Sequence, residues 1–143
     1  MKSLALFSLC LVVLILSCAK KQPVNPLLGT WKMVYAETLE QDSLTVKDLT
    51  NTAFIKIIND SHFAFFNQHN QSTEHFYGGG GTYTLNNNNY VETLSYTSVE
   101  ALKGHTFSFK VDFAGDTLIQ SGIEKAKKAN INRKIIEKYI KIN

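Results

Sequence analysis

From residue 27 onward, apolar and polar side chains alternate almost one for one, and a period of two is the signature of half-buried β-strands. In segment 30–38, Trp31, Met33 and Tyr35 fall on one side. In 53–59, Ile55 and Ile57 share one side and Lys56 takes the other. Segment 62–68 is rich in aromatics, with Asp60 and Ser61 as a turn before it. The cleanest alternation is 106–113, where Phe107, Phe109, Val111 and Phe113 face one way and Thr106, Ser108, Lys110 and Asp112 the other. Ala114, Gly115 and Asp116 then turn the chain into a strand over 117–123, a hairpin connection of the glycine-containing type.

A run of glycines, 78–81, and a run of asparagines, 86–89, interrupt this pattern. A phosphate-cradling loop needs a lysine and a hydroxyl at fixed offsets, with a helix behind them. Here the glycines lead into Thr82, Tyr83, Thr84 and Leu85, a strand, with no lysine nearby. The glycines are therefore expected to form a bend or bulge, with backbone angles at one or more of them that only glycine reaches easily. The asparagines are expected to make a hairpin turn, because they tolerate left-handed backbone, and 90–97 is the returning strand. Two segments resist this treatment. The polar stretch 42–51 reads as a loop or a short helix closing one end of the molecule. In the last stretch, Ile131, Ile135, Tyr139 and Ile142 suit a helix face, while Ile136, Ile140 and Ile142 suit a strand.

The first residues have a different character. Lys2 precedes an apolar run from 4 to 16, broken only by Ser8. That run is shorter than the roughly 20 residues a spanning helix needs, so 1–17 reads as a secretory signal. Ile15, Leu16, Ser17 and Cys18 resemble a bacterial lipobox, which implies cleavage before Cys18 and a diacylglycerol on its thiol. Of the two cysteines, Cys10 would be discarded and Cys18 committed to lipid, so no disulfide is expected and the domain must be held by its core. Residues 18–26 form a lipidated cysteine and polar tether, and 27–143 a single domain. Net charge is +3. Lys125, Lys127, Lys128, Arg133, Lys134, Lys138 and Lys141 crowd the C-terminal end, but an exported protein rarely meets nucleic acid. They read as a solvated loop and strand edge, and no nucleic-acid partner is expected.

Leu28-Gly29-Thr30-Trp31-Lys32 carries a Gly-x-Trp at the opening of the first strand, a hallmark of lipocalins and their relatives. With GTWKMV, KIINDSHFAFF, GGGTYTL, YVETLSY, FSFKVDFAGDTLIQSG and IIEKYIKIN in this order, the chain resembles the lipocalin-like lipoproteins of Bacteroidetes-type bacteria. The resemblance implies an all-β fold, a small antiparallel up-and-down barrel of about eight strands. It also implies that a C-terminal strand closes the sheet, which favours a loop through Asn132 and a strand from Lys134. An address in the bacterial envelope follows, with the membrane engaged through Cys18 at the outer membrane. Ala19, Lys20 and Lys21 lack the acidic cluster that resembles a surface-export signal in these bacteria, so the periplasmic face is favoured.

An interior of this size holds side chains or one small ligand. Glu92 shares its strand face with Tyr90, Leu94 and Tyr96, and a carboxylate there must be paired, hydrogen-bonded or in contact with a ligand. It is either an anchor for a polar ligand group, a hydrogen-bonded core acid, or a residue of the barrel mouth. His62, at a strand start, is either a ligand contact or a local hydrogen-bond partner. Phe65, Tyr83, Tyr96 and Tyr139 complete the candidate ligand-binding set, and Trp31 is expected to plug one end. His69, His75 and His105 are scattered without metal-ligand spacing, so no metal or cofactor is expected. No catalytic arrangement of Ser, His and Asp stands out either. The expected function is non-catalytic binding of a small, partly apolar or amphipathic molecule by a monomer. The alternative is a filled barrel that acts as a protein-interaction module, an inhibitor or assembly factor.

Overall fold

In a computed structural model, which describes residues 25–142, the alternating segments become nine antiparallel strands. They are β1 (Gly29–Glu40), β2 (Ser43–Val46), β3 (Thr52–Ile58), β4 (His62–His69), β5 (Tyr77–Asn86), β6 (Asn89–Thr97), β7 (Thr106–Ala114), β8 (Thr117–Ala126) and β9 (Ile131–Lys141). β1 pairs with β3 through its first residues and with β9 along most of its length. The strands β1 and β3 to β9 thereby close into an eight-stranded barrel, with β2 an extra strand beside β1. Closure leaves the barrel wall without a free edge. The signal segment 1–17, the candidate lipidation site Cys18 and residues 19–24 of the tether lie outside the described residues.

Of the polar stretch 42–51, where a loop or a short helix is expected, Ser43–Val46 is a strand and only 47–51 is a loop. Gln41 and Asp42 both adopt left-handed backbone, with φ of 48° and 63°, and turn β1 directly into β2. This is the geometry favoured for two-residue hairpin connections. All four residues of β2 are exposed, so it buries no face whose period could have announced it. The tail is a strand, as the closing role implies, but it begins at Ile131 rather than Lys134. Asn130, at φ 55°, ends a 3₁₀ turn over Lys127–Ala129, and pairing with β8 starts at once from Ala126 opposite Ile131.

The glycine run lies within β5, and none of its residues has positive φ. The expectation of glycine-only backbone angles is therefore not met; close approach is what requires these residues. A Cβ on Gly79 would lie 2.8 Å from Cζ of Phe65, and one on Gly80 would lie 2.6 Å from the Phe63 carbonyl oxygen. One on Gly81 would overlap the Thr93 carbonyl. The bulge sits across from them: Gly80 pairs with Tyr96 and Gly81 with Leu94, leaving Ser95 as the extra residue of β6. Asn87, at φ 55°, makes the asparagine turn between β5 and β6 as expected.

Parity along β1 departs from the pattern read above, and along β3 the structure decides which side turns inward. In β1 a bulge at Val34 separates Met33, opposite Tyr139, from Tyr35, opposite Lys138. Tyr35 thus leaves the face of Trp31 and Met33 and lies outside, under the Lys138 ammonium 5.0 Å from its ring. In β3 the partition holds, and the inward face is the one that carries the charge: Phe54, Lys56 and Ile58 are buried, while Ile57 is 42% exposed. Strict alternation defines two faces without saying which turns inward, and one residue of slip exchanges them.

One end of the barrel is sealed. Trp31 donates from Nε1 to the Leu27 carbonyl at 2.7 Å, and both side chains are buried. Tyr83 donates its hydroxyl proton to the Asn59 carbonyl at 2.6 Å and accepts from Asn25 Nδ2 at 2.7 Å. Tyr90 packs against Tyr83 with ring centroids 5.2 Å apart, and Tyr90 and Leu118 are both fully buried.

Alanine at position 81 tests the close approach in β5. Gly81→Ala should lose about 1–3 kcal/mol, the range for overpacking a tight site. Gly78→Ala should lose less, since the nearest atom to its Cβ would be the Phe65 carbonyl oxygen at 3.0 Å. Urea midpoints at unchanged slope measure both; the opposite ranking would contradict the packing described.

Candidate functional site

Above the sealed end the barrel is hollow. A cavity of about 360 Å³ opens at the other end, within the size range of small-molecule sites. Its walls carry Phe54, Phe65, Tyr77, Phe107, Phe109 and Tyr139, and its rim Val99, Leu102 and Ile131. Gly122 of β8 makes room for one of these rings: a Cβ there would lie 2.9 Å from Cδ1 of Phe109.

The floor is polar. Lys56 of β3 forms an ion pair with Glu92 of β6 and donates to Gln120 Oε1 of β8 at 2.9 Å. The side chains of Lys56 and Glu92 are 4% and 7% exposed. The ammonium also stands 5.0 Å from the ring of Tyr90 and 5.4 Å from that of Phe63, geometry in which the π-faces attract a cation. A charge taken this far from water survives only with such partners. The Tyr90 hydroxyl beneath it has no hydrogen-bond partner among the described residues. Its pKa is pushed up by burial first and then by the neighbouring Glu92 carboxylate.

Beside the floor, Glu137 of β9 lies opposite Gln120 and Ala36 in the two flanking strands. Tyr139 donates its hydroxyl proton to Glu137 Oε2 at 2.7 Å. Burial raises the Glu137 carboxyl up to about 7, overcoming the lowering pull of Lys56 and of the Tyr139 hydrogen bond. Tyr139 itself is held well above the usual phenol value, again by burial first and then by Glu137. Nearer the rim, Arg133 Nε contacts Glu124 Oε2 at 2.5 Å. Lys47, in the segment after β2, reaches over Tyr77 with its ammonium 5.6 Å from the ring. Burial lowers the Lys47 pKa while Glu137 works to raise it.

Three of the candidate residues meet in this cavity: Glu92 in the floor, Phe65 and Tyr139 in the walls. The other three do not. Tyr83 belongs to the sealed end, where its hydroxyl is taken by Asn25 and Asn59. Tyr96 is 73% exposed, because the Ser95 bulge turns every later residue of β6 to the opposite side. His62 lies outside, its ring bonded to Ser61 Oγ at 2.7 Å and its backbone N–H donated to Asn59 Oδ1 at 2.8 Å. His62 and Tyr96 instead flank a shallow depression on the outer wall over the glycine run.

Lys56, Gln120, Glu124, Arg133 and Glu137 are charged and amide residues of the cavity that sequence reasoning missed, and it missed the rings of Phe54 and Tyr77 as well. The only signal was parity: Phe54 and Ile58 flank Lys56 at spacing two, and Ile135 and Tyr139 flank Glu137 in the same way. Among the described residues, no group of three or more His, Cys, Asp or Glu side chains is placed to hold a metal ion. The arrangement can enclose an apolar or planar body among rings and offer its polar end a carboxylate, an amide and a buried ammonium.

The chain belongs to DUF4488, a family described as a domain of unknown function, whose model matches residues 26–143 and so takes in the whole barrel. A comparison with curated proteins finds no match.

Two outcomes follow from the charges. Lys56→Met leaves Glu92 buried without its cation and should lose about 3–5 kcal/mol. Adding Glu92→Leu should recover much of that loss, so a double-mutant cycle by urea unfolding should show strong coupling; additive losses would mean the pair is not coupled. Glu137 has the opposite linkage to an ordinary paired acid. Its folded value, about 7, is above the unfolded reference of 4.5, so the folded state binds the extra proton between them. The stability it contributes relative to Glu137→Gln is complete below about 4.5 and is lost as pH rises through about 7. Unfolding curves of both proteins across that window should diverge in this direction; parallel curves would rule out the raised carboxyl.

Proposed function

We propose that this DUF4488 barrel is a lipid-anchored envelope protein that binds one small, partly apolar molecule without transforming it, in the manner of lipocalin-like lipoproteins. The observation that carries the reading is a hollow with aromatic walls and a polar, ion-paired floor, sealed at one end and open at the other. A barrel used only as a rigid support for partner-binding loops would be expected to fill this space with side chains, since interiors pack closely by default. Leaving rings exposed to a void forfeits their dispersion contacts, and a ligand restores them.

The anchor rests on Ile15, Leu16, Ser17 and Cys18 and their likeness to a lipobox. It is consistent with where the chain enters the barrel, at Asn25 beside the sealed end. A lipid on Cys18 would tether that end to the outer membrane, on its periplasmic face, and leave the mouth facing the aqueous side. A ligand would then enter from the periplasm rather than from the bilayer.

Mass spectrometry of the full-length protein purified from its native host tests both parts. The expected spectrum shows a diacylglyceryl modification at Cys18 and one small-molecule adduct per chain. Ile131→Trp, which places an indole at the rim, should keep the lipid and lose the adduct. Unmodified Cys18 would remove the anchor. A wild-type protein that carries no adduct and shows no saturable binding of a neutral probe such as 2-phenylethanol would remove the ligand.

A further inference from the structure

We infer that the cavity selects a small monocation, an amine or guanidine on an apolar body, and seats its charged nitrogen on Glu137. This deepens the ligand-binding reading and rests on it.

Charge is the first ground. Five charged side chains face the cavity: Lys56, Glu92, Glu124, Arg133 and Glu137. Two ion pairs, Lys56 with Glu92 and Arg133 with Glu124, take up four of them. Glu137 remains as the carboxylate that faces the cavity without an ion-pair partner among the described residues. Tyr139 satisfies one of its oxygens, which holds the carboxylate in place while leaving acceptor capacity toward the cavity.

The second ground is independent of charge. Phe54, Phe65, Tyr77 and Tyr139 form a connected set of rings around the same space. Phe54 lies 5.6 Å from Phe65, 6.4 Å from Tyr77 and 6.2 Å from Tyr139, centroid to centroid, and Phe65 lies 6.5 Å from Tyr77. Rings grouped in this way attract a desolvated cation through their negative faces, and they accept an apolar body without further polar demands. A carboxylate beside such a cluster matches both halves of an amphipathic amine.

An anionic ligand fits less well. The ammonium of Lys56 is already held by Glu92 and Gln120, and the guanidinium of Arg133 by Glu124. An anion would have to break one of these pairs or approach Glu137 against repulsion. Among the described residues, Lys47 at the rim is a further cation near the space, and it stands over Tyr77 rather than in the floor.

The two ligand classes have opposite pH dependence. The groups facing Glu137 are Lys56 from β3, Tyr77 from β5, Glu92 from β6, Glu124 from β8, Arg133 and Tyr139 from β9, and Lys47 from the segment after β2. Of these, Glu137 is the carboxyl raised to about 7. A bound cation favours its ionised form, so amine affinity should rise as pH increases through that value. A bound carboxylate favours the protonated form, so its affinity should fall over the same range.

Calorimetric titration of 2-phenylethylamine, 2-phenylethanol and 3-phenylpropanoate tests the inference, using the full-length protein in nanodiscs of zwitterionic lipid, with empty nanodiscs as the blank. At about pH 8 the amine, still cationic, should bind about ten-fold or more tighter than the alcohol, as expected for a charge-assisted hydrogen bond. That ratio should shrink toward about pH 5.5. In Glu137→Gln, checked for folding by a thermal melt, the ratio should fall to about unity. An alcohol that binds as well as the amine, or a preference that survives Glu137→Gln, would overturn the inference while leaving a ligand-binding cavity intact. Preference for the propanoate would overturn it in the same way. Failure of all three probes to bind would count against the cavity reading itself, and the inference would fall with it.

Discussion

A lysine ammonium inside a barrel of this size can persist only if other strands supply its partners, and the pairing of Lys56 with Glu92 and Gln120 meets that need from three strands at once. It joins β3, β6 and β8 across the interior, so it specifies which faces of these strands turn inward. Phe54 and Ile58 follow Lys56 into the core, and Ile55 and Ile57 are left on the outer wall. Apolar residues on the outside are ordinary; a charged residue in the centre is the unusual member of the exchange. The same group divides the interior in two, with the Trp31, Leu27 and Leu118 plug below it and the cavity above.

The glycines and the two bulges make this geometry sterically feasible. β5 runs close enough to β4 and β6 that side chains at Gly79, Gly80 and Gly81 would collide with Phe65, Phe63 and Thr93. Gly79 lets the Phe65 ring turn toward Phe54, against which it stacks with an interplanar angle of 7°. The Ser95 bulge lies directly across from the glycines and ends the inward run of β6 at Leu94. Tyr96 is thereby placed on the outer wall, and the cavity mouth at that point is left to Thr97, Ser98 and Val99. A bulge that re-aims side chains near a site is a recurrent use of this irregularity.

Glu137 has a different standing from the floor charges. Lys56 and Glu92 neutralise each other and are nearly closed off from solvent, so they act mainly on architecture. The Glu137 carboxyl is raised to about 7 by burial, in reach of Lys56 but not paired with it. Its protonation state can therefore respond to what enters the cavity. Tyr139, which orients it, also belongs to the ring cluster through Phe54, so a polar group and an aromatic wall stand side by side on one strand.

The period-two alternation, the Asn87 turn and the Gly115 turn are local in the chain, and they were legible without coordinates. So was the presence of Glu92 on a core face, because Tyr90 and Leu94 flank it at spacing two. Barrel closure, suggested by resemblance, needs the pairing of β1 with β9, a contact between the two ends of the domain. What only the tertiary structure decided is which face of β3 turns inward and where β1 and β6 change face. Alternation is symmetric under a shift of one residue, and bulges at Val34 and Ser95 shift it without a sequence mark that distinguishes them. Tyr35 and Tyr96 therefore left the interior that parity assigned them. Lys56 and Glu137 entered it because partners far away in sequence, on strands folded back beside theirs, lowered the energy of a charge that the chain alone would place in water.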